Sequence, residues 1–573
     1  MGKAGLLLLL SFLLLMKGFF PAPARAQTPA AEAARQADVL QRQNEQRIRR
    51  DIEEALPRRP EPPPQPSMPV PAVDASAAGP SCHQINDIII SSAPHLSPSL
   101  RTDIGGRYAG GCLGVREIEQ ILAAITKDYI ARGYITTRAY LPSQDLSSGR
   151  LEILVVEGVV GKVEMQDGGK RSIRPGMVFP AEGSLFNLRD LEQGIDQVNR
   201  LSSNNARLDI QPGDAPGASR VVIHNTPAFP LHAFVGVDDH GSESTGRNQF
   251  AFGLSADRLL GLNELLIFAH RRSQPHDNAR KASSSDSFTF ILPVGYSTFA
   301  ASASQSRYTT SIIAPSGTPL RFQGDNDNLN LKLSRTVYRG PAGRATLGAG
   351  LIRKSTRNYL EGQRLEVSSR SLTVLNLEAN VSTQLAGGAL TMGLDYERGL
   401  SAFGALRDPA GLPGDAPRAQ FGKLLYQLGY FYPFRAAGMD AEFSTHISGQ
   451  RAQNSLYGSE QLLIGGIYSV RGFSTNSLSG DHGWYSRNEI AVRPTLLLAG
   501  QTVPLRLYAG LDVGAVSNRV ADHPGGRLAG VVVGVSGGWK RLSFDVFHAR
   551  PISQPDFLPH EGGQTWLRMT LSI

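Results

Sequence analysis

Cysteine is nearly absent from this chain, with only Cys82 and Cys112 among 573 residues, which leaves one candidate pairing and no disulfide framework. Long apolar runs are equally scarce. After the first 26 residues no stretch approaches the ~20 consecutive apolar residues of a membrane-crossing helix, so a helical membrane protein is excluded. There is no phosphate-binding loop, no paired metal-ligand spacing and no nucleophile elbow, and the 12 histidines are scattered. These absences argue against an enzyme and imply no metal and no cofactor. His95, His240 and His523 fall in loop-like stretches and read as surface residues. The formal net charge is +8, of which Lys3, Lys17 and Arg25 supply three. Because the remaining basic residues are dispersed, nucleic-acid binding gains no support.

What is present begins with an export signature. Lys3 precedes an apolar stretch from Leu6 to Leu15 and then Ala24-Arg25-Ala26, a small-x-small site. Residues 1–26 therefore read as a removed signal, cut between Ala26 and Gln27. The alternative, a stop-transfer anchor, has an apolar core too short to cross ~30 Å of hydrocarbon as a helix. Export implies an oxidising compartment, so Cys82 and Cys112 are expected to be bonded, the alternative being two buried free thiols. Closing a loop of about 30 residues should stabilise the fold by ~3 kcal/mol.

The segment 27–56 is rich in Ala, Glu, Gln and Arg, which favours a helix about 40 Å long from Ala30 to Leu56. Its apolar stripe, Ile48, Ile52 and Leu56, is crowded by Arg42, Arg47, Arg49, Arg50, Asp51, Glu53 and Glu54. Such a helix suits a water-filled lumen or, alternatively, a solvated arm. Segment 57–74 holds eight prolines between Pro57 and Pro71 and reads as an extended tether.

Two small α+β modules follow, at 75–158 and 159–226. The first is expected to have strands at His83–Ile90, Thr136–Leu141 and Leu151–Glu157 and a helix at Val115–Arg132. In the second, strands are expected at Val160–Gln166, Arg207–Gln211 and Arg220–Asn225, with a helix at Leu188–Leu201 capped by Asn187.

From 227 to 573 the period changes to two. Met439, Ala441, Phe443 and Ile447 oppose Asp440, Glu442, Ser444, His446 and Ser448, and Leu390, Met392, Leu394 and Tyr396 oppose Thr391, Asp395 and Glu397. A soluble β-sandwich also alternates, so connection lengths have to separate the two. Short links at Pro293–Tyr296, Gly340–Gly343 and Arg435–Ala437 take turns with long ones at Ser273–Asp286, Arg307–Asp325, Gly399–Ala419 and Gln450–Tyr485. Turns on one rim and loops on the other describe a membrane all-β protein, a transmembrane β-barrel of about sixteen antiparallel strands. The last strand, with Leu567, Met569, Leu571 and Ile573 on one face, can pair with the first and close the sheet.

Several motifs on this framework resemble the TpsB transporters of two-partner secretion, the ShlB/FhaC-like family, over nearly the whole mature chain. They are Arg132-Gly133-Tyr134, Gln144-Asp145-Leu146 and Gly149-Arg150-Leu151 in the first module, then Asn187 to Glu192 and Gln211-Pro212-Gly213 in the second. The most specific is Gly465-Gly466 followed by Ser469-Val470-Arg471-Gly472-Phe473 in the longest loop, paired with Asp512-Val513-Gly514 in a later strand. The resemblance implies two POTRA domains, a sixteen-stranded barrel, a helix able to plug it, and an inward loop whose tip is Val470, Arg471, Gly472 and Phe473, facing Asp512 and Gly514. It further implies an outer-membrane location with the amino-terminal domains in the periplasm. The implied partners are a secreted TpsA-type exoprotein such as an adhesin or cytolysin, outer-membrane lipids, and the barrel-assembly machinery during biogenesis. At Ile573 the chain departs from the family, where an aromatic is usual.

Parity bears separately on Asp512. With Leu505, Leu507, Leu511 and Val513 on the lipid-like face, Arg506, Tyr508 and Asp512 must point into the lumen. Asp512 is then available to a cation such as Arg471, or is one luminal carboxylate among others such as Glu442 and Glu489. Two other functions compete with secretion of a partner protein: an insertase that folds other barrels, and a passive porin, for which the periplasmic modules would have no purpose.

Overall fold

The computed structural model describes residues 29–55, 82–169, 173–275, 280–313, 317–498, 500–520 and 524–573. The signal site at Ala26 and Gln27, the proline tract and His523 lie outside the described residues. Among the described residues no helix is long and apolar enough to cross a membrane.

Sixteen antiparallel strands close into a barrel. They are β1 (Leu231–Asp238), β2 (Gln249–Asp257), β3 (Leu265–Ser273), β4 (Ala282–Val294), β5 (Ser297–Ile313) and β6 (Pro319–Arg339). Next come β7 (Gly343–Leu360), β8 (Arg370–Leu385), β9 (Gly388–Leu400), β10 (Gly422–Ala436) and β11 (Met439–Ala452). The last are β12 (His482–Val492), β13 (Gln501–Ser517), β14 (Gly526–Trp539), β15 (Leu542–Ser553) and β16 (Gln564–Ser572). Closure pairs β16 with β1 from Arg568↔Asp238 to Ser572↔Phe234. Ala233 and Ile573 then exchange backbone hydrogen bonds of 3.2 and 2.7 Å. Leu329, Leu331, Leu333, Met392, Leu394, Leu567 and Leu571 are all exposed on the outer wall, as an apolar band against lipid requires. On the opposite parity Glu442, Tyr508, Asp512 and Trp566 are buried inside.

Tight turns fix one rim. At Ala386-Gly387 and Ala437-Gly438 both residues have positive φ, the hairpin geometry that matches strand twist. The long connections lie on the other rim, with two differences from the sequence expectation. Ser283 to Asp286 belong to β4, and most of Arg307–Asp325 is strand, because β5 and β6 run on in register through Arg307↔Asp325 and Tyr308↔Gly324. A polar ribbon above the membrane carries no lipid-facing alternation, so its sequence looks like loop. Tyr308 and Phe322 of this ribbon turn inward and are buried.

Against them lies helix α1 (Pro29–Ala55), inside the lumen. Ala37 and Leu40 pack on Tyr308 and Phe322. The helix is otherwise held by polar contacts. Asp51 accepts from Arg271 of β3 at 2.7 and 3.0 Å, Gln41 accepts from Thr356 of β7 at 3.0 Å, and Asp38 lies 3.5 Å from Arg370 of β8. This burial of Arg47 and Asp51 separates a luminal helix from the solvated arm that composition alone allowed.

The two modules hang from the short-turn rim. In the first, α2 (Pro98–Tyr108) and α3 (Val115–Ala131) cover a sheet ordered Asp87–Ser91, Arg150–Val156, Arg138–Tyr140. The expected strand His83–Ile90 is split in two, and its first part, His83–Ile85, pairs with Gly111–Leu113. Helix α2 was not legible in the sequence, since Pro98, Gly105 and Gly106 are weak helix formers and only Ile104 is buried. Cys82 and Cys112 are joined, with their Cα atoms 5.4 Å apart. The second module packs α4 (Leu188–Val198) on a sheet ordered Val159–Gln166, Ala218–Asn225, Ala206–Pro212. At the joint, Leu188 N donates to Gly133 O at 2.8 Å and Asn187 Nδ2 to Arg132 O at 3.2 Å. Glu157 beside it is partly buried, which raises a carboxylate's pKa, but hydrogen bonds from Tyr129 at 2.6 Å and His95 outweigh that and hold it below its usual range. Tyr296 donates to Asp190 at 2.6 Å, and Arg339 meets Asp196 at 2.8 Å, so α4 docks directly on the turns of the barrel.

Candidate functional site: an inward loop on the barrel wall

The connection between β11 and β12, residues 453–481, folds back into the lumen. It does so as a hairpin, with Leu462–Ile464 paired antiparallel to Leu478–Gly480. Positive φ at Gly465 and Gly466 lets the chain turn beyond that pairing. The tip then presents Val470 and Phe473, both fully buried with Ile464, Leu478, Val516 and Leu528. Burying two such side chains contributes roughly 1.5–3 kcal/mol each.

Arg471 lies between them and reaches the wall. Its Nε donates to Asp512 Oδ2 at 2.6 Å, its Nη2 to Oδ1 at 2.9 Å, and its backbone N to Oδ2 at 3.1 Å. Nη1 goes to Glu489 of β12 at 2.5 Å. Arg471 is 3 % and Asp512 0 % exposed, so both charges are removed from water and matched chiefly by each other. The wall continues the alternation: Arg506 bridges Glu489 at 2.8 Å and Glu442 at 2.6 Å, and Glu442 also takes Arg493 at 2.6 Å. A bidentate pair at this depth is geometrically specific, and losing one partner strands the other.

Glycines make the approach close enough. Gly472 has φ +107°, and a Cβ there would meet the backbone of Arg550 at 2.7 Å. A Cβ on Gly530 of β14 would lie 1.9 Å from Arg471 O, and one on Gly514 would lie 3.0 Å from Val470. We therefore expect Gly530→Ala to expel the tip while leaving the barrel assembled. Limited proteolysis of loop 453–481 alongside heat-modifiable migration measures both effects; wild-type resistance in the variant would contradict the packing.

The structure thus brings Val470, Arg471, Gly472 and Phe473 onto Asp512 and Gly514, while the Cys82–Cys112 pair sits apart in the first module. Sequence reasoning placed Glu489 only among the unassigned luminal acids. Its inward facing, a parity it has in common with Arg487 along β12, was readable, whereas its share of Arg471 was not. Glu460 at the base of the loop was missed. It is fully buried between Lys354 at 2.7 Å and Lys423 at 2.8 Å, and Glu45 of α1 lies 3.9 Å from the same Lys354. Irregular loop gives no period from which such a pair could be found. His240 is a correction: it lies inside the barrel mouth, its ring 6.0 Å from that of Phe547, and is not a surface residue. Among the described residues no group of three His, Cys, Asp or Glu side chains is placed to hold a metal ion.

A closed barrel with a luminal helix, a loop clamped to its inner wall and two small modules docked on its periplasmic turns is the build of an outer-membrane transporter. Residues 217–537 match the family described as haemolysin secretion/activation protein ShlB/FhaC/HecB, residues 83–158 a ShlB-type POTRA domain, and residues 159–212 a POTRA domain. The chain belongs to the ShlB/FhaC/HecB family of two-partner secretion transporters. It is 34% identical to the outer membrane transporter CdiB of Dickeya dadantii (strain 3937) over 87% of this chain and 88% of that one. It is 30% identical to the hemolysin transporter protein ShlB of Serratia marcescens over 83% of each chain. Among solved structures, CdiB from Escherichia coli superposes with a TM-score of 0.82 at 30% identity, covering 96% of this chain and all of that one.

Proposed function

We propose that this transporter captures an extended partner exoprotein in the periplasm, an adhesin, a cytolysin or a related protein, and passes it through the barrel to the cell surface. The observation that carries this reading is that the lumen is filled by two elements that meet each other, α1 and loop 453–481, with Asp38 packed on Gly458 and Glu45 facing the same Lys354 as Glu460. Both elements are held by side-chain contacts that can be exchanged without opening the sheet. In this reading Val470 to Phe473 form the transport-loop motif, Asp512 and Gly514 its partners on the wall, and Cys82–Cys112 a brace of the first POTRA domain. Capture falls to the two modules. Strands Arg138–Tyr140 and Ala206–Pro212 are sheet edges, and exposed Tyr140 and Leu141 lie at the first of them. Strand addition there binds backbone and so tolerates varied cargo sequences. Net movement then comes from folding of the cargo outside. The apolar band makes lipid the barrel's solvent, and the barrel-assembly machinery is the partner during biogenesis.

Residues 75–226, prepared alone, are expected to bind an unfolded amino-terminal fragment of the cognate exoprotein. Titration by fluorescence anisotropy measures it. A fragment that binds only the barrel refutes capture by the modules.

A further inference from the structure

Directly after Phe473, three consecutive backbone N–H groups converge on one carboxylate. Ser474 N donates to Glu561 Oε2 at 2.7 Å and its hydroxyl to the same oxygen at 3.0 Å. Thr475 N reaches both oxygens, at 3.2 and 3.3 Å, and Asn476 N donates to Oε1. Around this contact Asn476 Nδ2 donates to Pro559 O and Gln564 Nε2 to Ser474 Oγ, each at 2.5 Å. Among the described residues no Lys, Arg or His nitrogen forms an ion pair with Glu561, so the peptide dipoles are its counter-charge. Successive N–H groups curved around an anion form a nest, and their bonds to an ionised carboxylate are shorter and stronger than neutral ones.

Glu561 belongs to loop 554–563, which leads straight into β16, whereas Arg471 engages β12 and β13. Besides its packing on Gly514, Gly530 and Arg550, the tip therefore meets a carboxylate at two separate places. We propose that Glu561 is a second latch, a positioning residue that fixes the inward loop to the segment carrying the closing strand. The loop then leaves its seat only when the Arg471–Asp512 and Glu561 contacts are both given up. The proposal rests on the reading above in which the position of this loop governs transport.

Hydrogen exchange followed by mass spectrometry on the full-length protein in detergent micelles tests it. In Glu561→Ala, peptides covering 474–476 are expected to exchange about ten-fold faster or more, while protection of the Arg471 amide is kept. Glu561→Gln retains the size and one acceptor oxygen but not the charge, so an intermediate rate is expected. It also keeps the test available should the alanine variant fail to assemble. Secretion of the cognate exoprotein should fall in the same order, with heat-modifiable migration unchanged. Exchange across 474–476 at the wild-type rate in both variants overturns the latch. Faster exchange with undiminished secretion leaves the latch standing and overturns control of transport by the loop.

Discussion

Arg471→Ala and Asp512→Ala are each expected to lower secretion of the cognate exoprotein at least ~10-fold while the barrel still inserts. Neither residue touches lipid or contributes its side chain to the sheet's backbone ladder. The expected size follows from burial. At an effective dielectric near 20, two unit charges ~4 Å apart attract by about 4 kcal/mol before desolvation is subtracted. Removing one member of a buried pair leaves the other uncompensated, which costs about 3–5 kcal/mol. Since ~1.4 kcal/mol is a factor of ten, the docked state of the loop loses most of its population. The charge swap, Arg471→Asp with Asp512→Arg, is expected to restore only part of the activity. Glu489 would then face an aspartate, and the backbone N–H of residue 471 would lose its acceptor. A double-mutant cycle on secretion measures the coupling, and a value indistinguishable from zero would mean that the two charges act separately.

The second large effect concerns the helix. Deleting residues 29–55 should raise single-channel conductance in planar bilayers several-fold, because a cylinder ~10–12 Å across leaves a lumen of sixteen strands, a size that otherwise holds an aqueous channel. Asp51→Ala should act in the same direction and less strongly. It removes both contacts of Asp51 to Arg271 but leaves Arg271 its bond to Asp238 and leaves Ala37 and Leu40 seated on Tyr308 and Phe322. Unchanged conductance in the deletion would end the plug interpretation.

How much of this was readable in advance depended on whether a residue lay on a periodic element. Asp512 was turned inward by parity alone, because Leu505, Leu507 and Leu511 before it and Val513 after it had to meet lipid. The helix of 27 residues was visible from composition, since Ala, Glu, Gln and Arg need no partner to favour it. Its place in the lumen was not, because a polar helix is equally content in water. The contacts that lock the loop mix the two cases. Arg471 and Asp512 carry a motif, while Glu561 and Glu460 sit in aperiodic loop and become meaningful only once the chain brings distant segments together. The extended β5–β6 pair was missed for a related reason: the period-two signal records lipid on one face, and it fades where both faces are wet.

That same pair reaches well beyond the membrane. Strands of 17 and 21 residues are about twice the ~9–11 needed to cross, so their upper halves stand in the external medium, flanked by β4 up to Thr309 and by β7 from Phe322. The inner side of this ribbon is the seat of α1. An antibody or a phage tail fibre gripping the ribbon from outside would therefore be handling the support of the plug. A fluorophore placed on its outer side would sense the helix leave its seat in an intact cell, with no need to breach the envelope.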